Sequence, residues 1–168
     1  IAAERPGAAG LVRHAVSKGI CVSLGHQAAR AEDLAKAVEA GATGLTHLGN
    51  GIPSTLPRHP NAVWDGLAED RLIAFVITDG HHVPLEVLKT FFRAKGAHIL
   101  VTSDASAVAG MPPGRYEAMG NKIVIDPDGR LYNPDTGYLV GSSFTMLECM
   151  NRLASTGWFT VETQRALG

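Results

Sequence analysis

Four short runs in this chain are apolar or small at almost every position instead of at alternate ones: Ile20-Cys21-Val22-Ser23-Leu24, Gly44-Leu45-Thr46, Leu72 to Ile77, and Ile99-Leu100-Val101-Thr102. A strand that is apolar on both faces is covered on both faces, as in a parallel sheet with helices outside it. The expected fold class is therefore α/β, either a barrel or a doubly wound sheet. Helical spacing fills the stretches between the runs. Ala8, Leu11, Val12, Ala15 and Val16 fall on a helical pattern over residues 7 to 18, with Gly19 as the stop. Leu34, Ala37 and Val38 share a face over 31 to 40, ended by Gly41, and Pro84 opens a helix bearing Leu85, Leu88 and Phe92 that Gly96 ends.

Beyond about residue 117 the rhythm changes. Lys122-Ile123-Val124-Ile125 and Arg130-Leu131-Tyr132 flank Asp126-Pro127-Asp128-Gly129, a hairpin signal with Gly where a positive φ is required. A helix resumes after it, with Ser142 or Ser143 as the cap and Met146, Leu147, Met150 and Leu153 as its apolar face. No linker is long enough to separate a pair of domains, so residues 1–168 read as a single domain or a portion of one. The chain starts without Met and stops at Gln164-Arg165-Ala166-Leu167-Gly168, the opening of a polar helix, so it reads as a piece.

Composition narrows the partners. With 45% hydrophobic and 18% charged residues and a net charge of -1, the chain is neither disordered nor polybasic, so nucleic acid is not an expected partner. No apolar run reaches the ~20 residues that span a bilayer, and the start lacks the flanks of a signal peptide, so no membrane role is expected. Cys21 and Cys149 are far apart and outside any metal-type pair, which suggests reduced, buried thiols in the cytoplasm.

Each strand runs into a polar residue at its carboxyl end: Gly25-His26, Thr46-His47, Asp79-Gly80-His81-His82 and Ser103-Asp104. In parallel α/β architectures the ligand sits beyond those ends. Three imidazoles and a carboxylate there suit a catalytic zinc, which keeps about three protein ligands and a water, with the Asp as proton acceptor. Each residue alone has a plainer role: His26 as a hydrogen-bonded structural side chain, Asp104 as a cap. Because neighbouring side chains of extended backbone point apart, only one of His81 and His82 is expected in the site. His14, His59 and His98 are assigned surface or loop roles. The loop from Asn50-Gly51 through Arg58 to Asn61 offers a carboxamide, a close-approach backbone and a guanidinium, suited to an anionic ligand or simply to solvent. Gly141-Ser142-Ser143 either caps its helix or presents amides to the site.

Five segments in order, Ser23-Leu24-Gly25-His26, Thr46-His47-Leu48-Gly49-Asn50-Gly51, Ile77-Thr78-Asp79-Gly80-His81-His82-Val83, Thr102-Ser103-Asp104-Ala105 and Gly141-Ser142-Ser143-Phe144-Thr145-Met146, resemble the N-acetylglucosamine-6-phosphate deacetylases of the amidohydrolase superfamily. The resemblance implies the C-terminal half of a (β/α)8 metal-dependent hydrolase barrel, strands five to eight, with a β-hairpin excursion near 120–140. It implies that His26 and His47 bind one divalent metal, zinc first, with iron or manganese as alternatives. Asp104 is then the catalytic carboxylate, and His82 contacts the acetamide carbonyl. Asn50 and Gly51 match the pair that touches the sugar phosphate, where the family has Asn-Ala, and Arg58 matches an Arg that reaches the phosphate across a dimer interface. The implied reaction is hydrolysis of N-acetylglucosamine 6-phosphate to glucosamine 6-phosphate and acetate, by a cytoplasmic homodimer in the full-length protein. The alternatives are a related amidohydrolase on another amide or cyclic amide, and a non-catalytic truncated fragment.

Two departures stand out. The family's metal-binding Glu lies upstream of this chain and Glu4 does not match it, and Pro60-Asn61 stands where the family usually has Pro-Gly.

Overall fold

The computed structural model describes residues 1–168, which divide into two compact units. The first holds residues 1–76 and 86–100, the second 77–85 and 101–168.

The first unit contains helices α1 (Ala8–Ser17), α2 (Ala31–Glu39), α3 (Ala62–Ala68) and most of α4 (Leu85–Lys95). Its sheet consists of β1 (Ser23–Leu24), β2 (Gly44–Leu45), β3 (Ile73–Ile77) and β4 (Ile99–Thr102), the last residues of β3 and β4 running into the second unit. The strand order is β1-β2-β3-β4, with β1 parallel to β2 and β2 parallel to β3. A doubly wound sheet reverses its strand order at a switch point, and no reversal occurs here. The sheet is open, so no barrel closes within the chain.

Burial follows the helical pattern in some positions and not in others. Val12, Leu34, Ala37, Leu88 and Phe92 are buried, whereas Leu11, Val16 and Leu85 are exposed. Strand residues Leu24, Leu45, Ala74, Val76, Ile77, Ile99 and Val101 are buried, whereas Ile73, Phe75 and Leu100 between them are half-buried, so one face of β3 and β4 is covered less completely than continuous apolarity predicts. The expected strand over 20–24 shrinks to Ser23–Leu24, the two residues that pair with β2. With Ile20 and Cys21 outside it, Cys21 is exposed, which corrects the expectation of two buried thiols; Cys149 is buried. Helix α3 is an addition to the expected elements. Its cap is Asn61, whose side-chain oxygen accepts from the Val63 and Trp64 amides while its Nδ2 donates to the Pro57 and Arg58 carbonyls.

The second unit carries the hairpin excursion and the C-terminal helices α5 (Met146–Ser155) and α6 (Val161–Leu167). Strands β6 (Asn121–Ile125) and β7 (Leu131–Tyr132) form the expected antiparallel pair, with Gly129 at φ 89 in the turn. A third strand, β5 (Gly114–Ala118), pairs antiparallel with the other side of β6. Val108, Ile123, Ile125 and Leu131 close this module with a small apolar core. Neither Ser142 nor Ser143 caps α5. Thr145 does, its hydroxyl accepting from the Glu148 amide while the Glu148 carboxylate accepts from the Thr145 amide.

Candidate active site

In the first unit His26 and His47 each stand two residues past the end of their strand, β1 and β2, so the parallel register of Leu24 with Leu45 sets the two imidazoles side by side. Their Nε2 atoms lie 3.0 Å apart with the rings edge to face. His47 is buried and His26 is exposed. Both adopt left-handed backbone, φ 51 and 34, as does Asp104 in the second unit at φ 49. Met119 is the one other non-glycine residue with positive φ. An L-residue in this region costs roughly 1–2 kcal/mol, and such strain gathers where side chains must be aimed. Three of the four strained positions are thus strand-end residues singled out by sequence.

Gly51 seats this pair. It has φ 62, and a Cβ there would stand 2.8 Å from His26 Nδ1 and 3.1 Å from His47 Cε1. Asn50 closes the turn after β2 through its amide and Nδ2, both donating to the His47 carbonyl. A cleft beside His26 is walled by Leu24, Thr46, Leu48, Asn50, Ile52 and Val63. Arg58 lies on the exposed loop, its carbonyl accepting from the Trp64 indole and from Asn61.

In the second unit His82 packs against a buried carboxylate to which the sequence pattern assigns no role. His82 Nδ1 lies 2.7 Å from Asp79 Oδ2, with side-chain exposures of 5% and 2%. Asp79 Oδ1 accepts from the amides of His81 and His82, and Ser142 Oγ donates to Oδ2. Burial pushes the Asp79 carboxyl toward its neutral form, but the His82 hydrogen bond, the His82 charge and the two amides outweigh it and hold the group well below the usual carboxylate range. His81 turns elsewhere, its Nε2 3.1 Å from the Asp128 carbonyl and its ring against Phe144. One histidine of the pair meets the carboxylate and the other the hairpin turn; the backbone here is a bend with Gly80 at φ 83, not extended strand, and both amides point to Asp79 Oδ1 while the two rings diverge. Asp104 is exposed, and its carbonyl accepts from the Ser142 amide. The signal for Asp79 is present in the sequence as an Asp three residues before a His, but its burial is not.

The two imidazoles suit a metal, since their Nε2 atoms converge and imidazole is a common zinc ligand. No group of three or more His, Cys, Asp or Glu side chains is gathered in a way that could hold an ion, so the chain brings together two donors.

An α/β chain with polar side chains on the carboxyl ends of successive strands has the plan of a strand-end active site. No family model matches the chain. It is 34% identical over 146 residues to the N-acetylgalactosamine-6-phosphate deacetylase of Escherichia coli O157:H7, a match covering 87% of this chain and 38% of that protein. It is 31% identical over 166 residues to the N-acetylglucosamine-6-phosphate deacetylase of Vibrio furnissii, covering 99% of this chain and 41% of that protein. The solved N-acetylglucosamine-6-phosphate deacetylase of Pasteurella multocida superposes with a TM-score of 0.86 at 30% identity, over 99% of this chain and 44% of that one. The corresponding enzyme of Mycobacterium smegmatis gives 0.86 at 26% identity with the same coverage. The relatives and structural neighbours are amino-sugar 6-phosphate deacetylases, as the five motifs led one to expect, and the chain spans about two fifths of the length of the curated relatives it matches.

Proposed function

We propose that this chain is the C-terminal half of the catalytic barrel of a metal-dependent deacetylase, supplying strands five to eight, and that the whole protein hydrolyses the acetamide of N-acetylglucosamine 6-phosphate. The observation that carries the reading is the convergence of His26 and His47 Nε2 at the ends of adjacent parallel strands. The unreversed strand order and the deacetylase relatives support it.

His26 and His47 would hold one divalent ion, with zinc the first choice and iron or manganese the alternatives, and a further ligand would come from the region of the protein outside this chain. When bound, such an ion supplies Lewis acidity for the acetamide and for the attacking water. Asp104 takes the proton of that water and returns it to the departing amine, so that acetate and glucosamine 6-phosphate result. His82 donates a hydrogen bond to the acyl oxygen as negative charge develops there. Asn50 and Gly51 contact the phosphate, and Arg58 pairs with it across a homodimer interface. The expected setting is the cytoplasm. The relatives' names include both the gluco and the galacto substrates, so the sugar must be tested in both forms.

The test is metal content of the full-length protein after gel filtration, followed by acetate release from both N-acetylhexosamine 6-phosphates by the wild type and by Asp104→Asn. About one metal per chain, with release that Asp104→Asn abolishes while the fold persists, supports the reading. Full-length protein with metal near zero and no release would overturn it. Arg58→Ala should raise KM for the phosphosugar far more than it lowers kcat, because the phosphate is remote from the bond that breaks.

A further inference from the structure

Ser142 engages two of the second unit's strand-end residues through different atoms. Its hydroxyl donates to Asp79 Oδ2 at 2.8 Å and accepts from the Phe144 amide at 3.1 Å. Its amide donates to the Asp104 carbonyl at 2.7 Å, and its own carbonyl accepts from the Ser106 amide at 2.9 Å. Ser142 is 1% exposed.

Both carboxylate oxygens of Asp79 have directed partners. Oδ1 accepts from two backbone amides, at 2.9 and 3.0 Å, and Oδ2 faces Ser142 Oγ and His82 Nδ1. An ionised carboxylate only accepts, so the hydrogen between Asp79 and His82 belongs to Nδ1. The neutral ring then carries no hydrogen on Nε2, and the cationic ring carries one there that it can donate.

We propose that Asp79 and Ser142 are positioning residues that act through His82, fixing its ring with the hydrogen on Nδ1 and Nε2 left for the acyl group of the substrate. The inference rests on the reading of His82 as the residue that meets the acyl oxygen. Its structural half concerns one nitrogen and is measurable without turnover. The Ser142 hydroxyl and the two amides prevent the carboxylate from rotating, so Oδ2 stays on Nδ1. Paired with this carboxylate, the cationic ring of His82 enters the reaction as a hydrogen-bond donor of fixed direction, its Nδ1 hydrogen held by Asp79 and its Nε2 hydrogen left for the acyl oxygen.

Asp79→Asn gives a sharp test. The two backbone amides need an acceptor, so the new carboxamide must turn its oxygen to the Oδ1 position. Its NH2 group then faces Ser142 Oγ and His82 Nδ1, and because that group donates, the ring hydrogen must move to Nε2. The experiment is nitrogen-15 NMR of the full 168-residue chain with labelled histidine, at a pH where His82 is neutral, with a backbone amide spectrum as the control for folding. The wild type should show His82 with Nδ1 protonated, Ser142→Ala should keep that state, and Asp79→Asn should show Nε2 protonated. Wild-type protonation at Nε2, or an unchanged tautomer in folded Asp79→Asn, would overturn the proposal. If Asp79→Asn fails to fold, the wild-type tautomer and the Ser142→Ala spectrum still decide the structural half. In the enzyme that turns over the sugar, Ser142→Ala should lower kcat on the order of tenfold with KM little changed, the scale usual for loss of a supporting hydrogen bond. The expected tautomers with unchanged kcat would overturn the catalytic half and count against the role given to His82, while leaving metal content and Asp104 dependence as separate tests of the deacetylase reading.

Discussion

His26 and His47 present their Nε2 atoms to each other at 3.0 Å, nearer than two nitrogen ligands of one tetrahedral zinc, which stand about 3.3 Å apart. A shift of a few tenths of an ångström would bring the pair to ligand spacing. Gly51 leaves the rings the room they occupy, since an added Cβ would press on both of them.

Gly51→Val should therefore weaken metal binding more than it weakens the fold. The left-handed backbone at this position costs a side chain roughly 1–2 kcal/mol, and the added methyls fill the space that the rings occupy. Competition titration against a chelator should show at least tenfold weaker binding, and an unchanged constant would show that the pair does not rest on Gly51.

Asn61 holds the entry to α3 with four hydrogen bonds from a buried side chain. Asn61→Ala should cost about 2 kcal/mol, the upper end for loss of an N-cap. Asn61→Gly tolerates the cap position but loses both Nδ2 bonds, and should fall between Ala and the wild type. Urea denaturation of the three proteins checks the order.

The acid limb of stability should depend on Asp79. Its carboxyl is held below the ordinary range in the folded chain, so the unfolded chain takes up the proton more readily. That contribution is complete above the ordinary carboxylate range and is lost as pH falls toward the folded value. Denaturation between pH 7 and pH 3 should show a shallower decline in Asp79→Asn than in the wild type; equal slopes would assign the acid sensitivity to other groups.

The two thiols should differ sharply in reactivity. Burial pushes the Cys149 thiol up to about 11, with the nearby Asp79 charge adding to it, whereas Cys21 is exposed. At pH 8 about one molecule in a thousand carries Cys149 as thiolate. Mass spectrometry after brief treatment with an alkylating reagent should find one adduct, on Cys21, and a second only after unfolding. Prompt labelling of Cys149 would mean that α5 opens readily.

The sequence by itself determined the alternation of apolar strands with patterned helices, the hairpin around Asp126 to Gly129, and the placing of His26, His47, His82 and Asp104 where strands end. Those features are local: a strand covered on both faces must be apolar throughout, and a turn with positive φ selects glycine. Only the tertiary structure decided what depends on distant partners. Thr145 rather than Ser142 caps α5, because Ser142 is engaged with Asp79, 63 residues earlier in the chain. Cys21 is exposed because only Ser23 and Leu24 of the expected strand pair with β2, which leaves it outside the sheet. Asp79, one polar residue among several in the sequence, becomes the buried anchor of His82 through its hydrogen bonds to His82 and Ser142. Periodicity records which face of an element is covered, but hydrogen bonds between segments far apart in the chain are set by how those segments pack, and no local pattern encodes them.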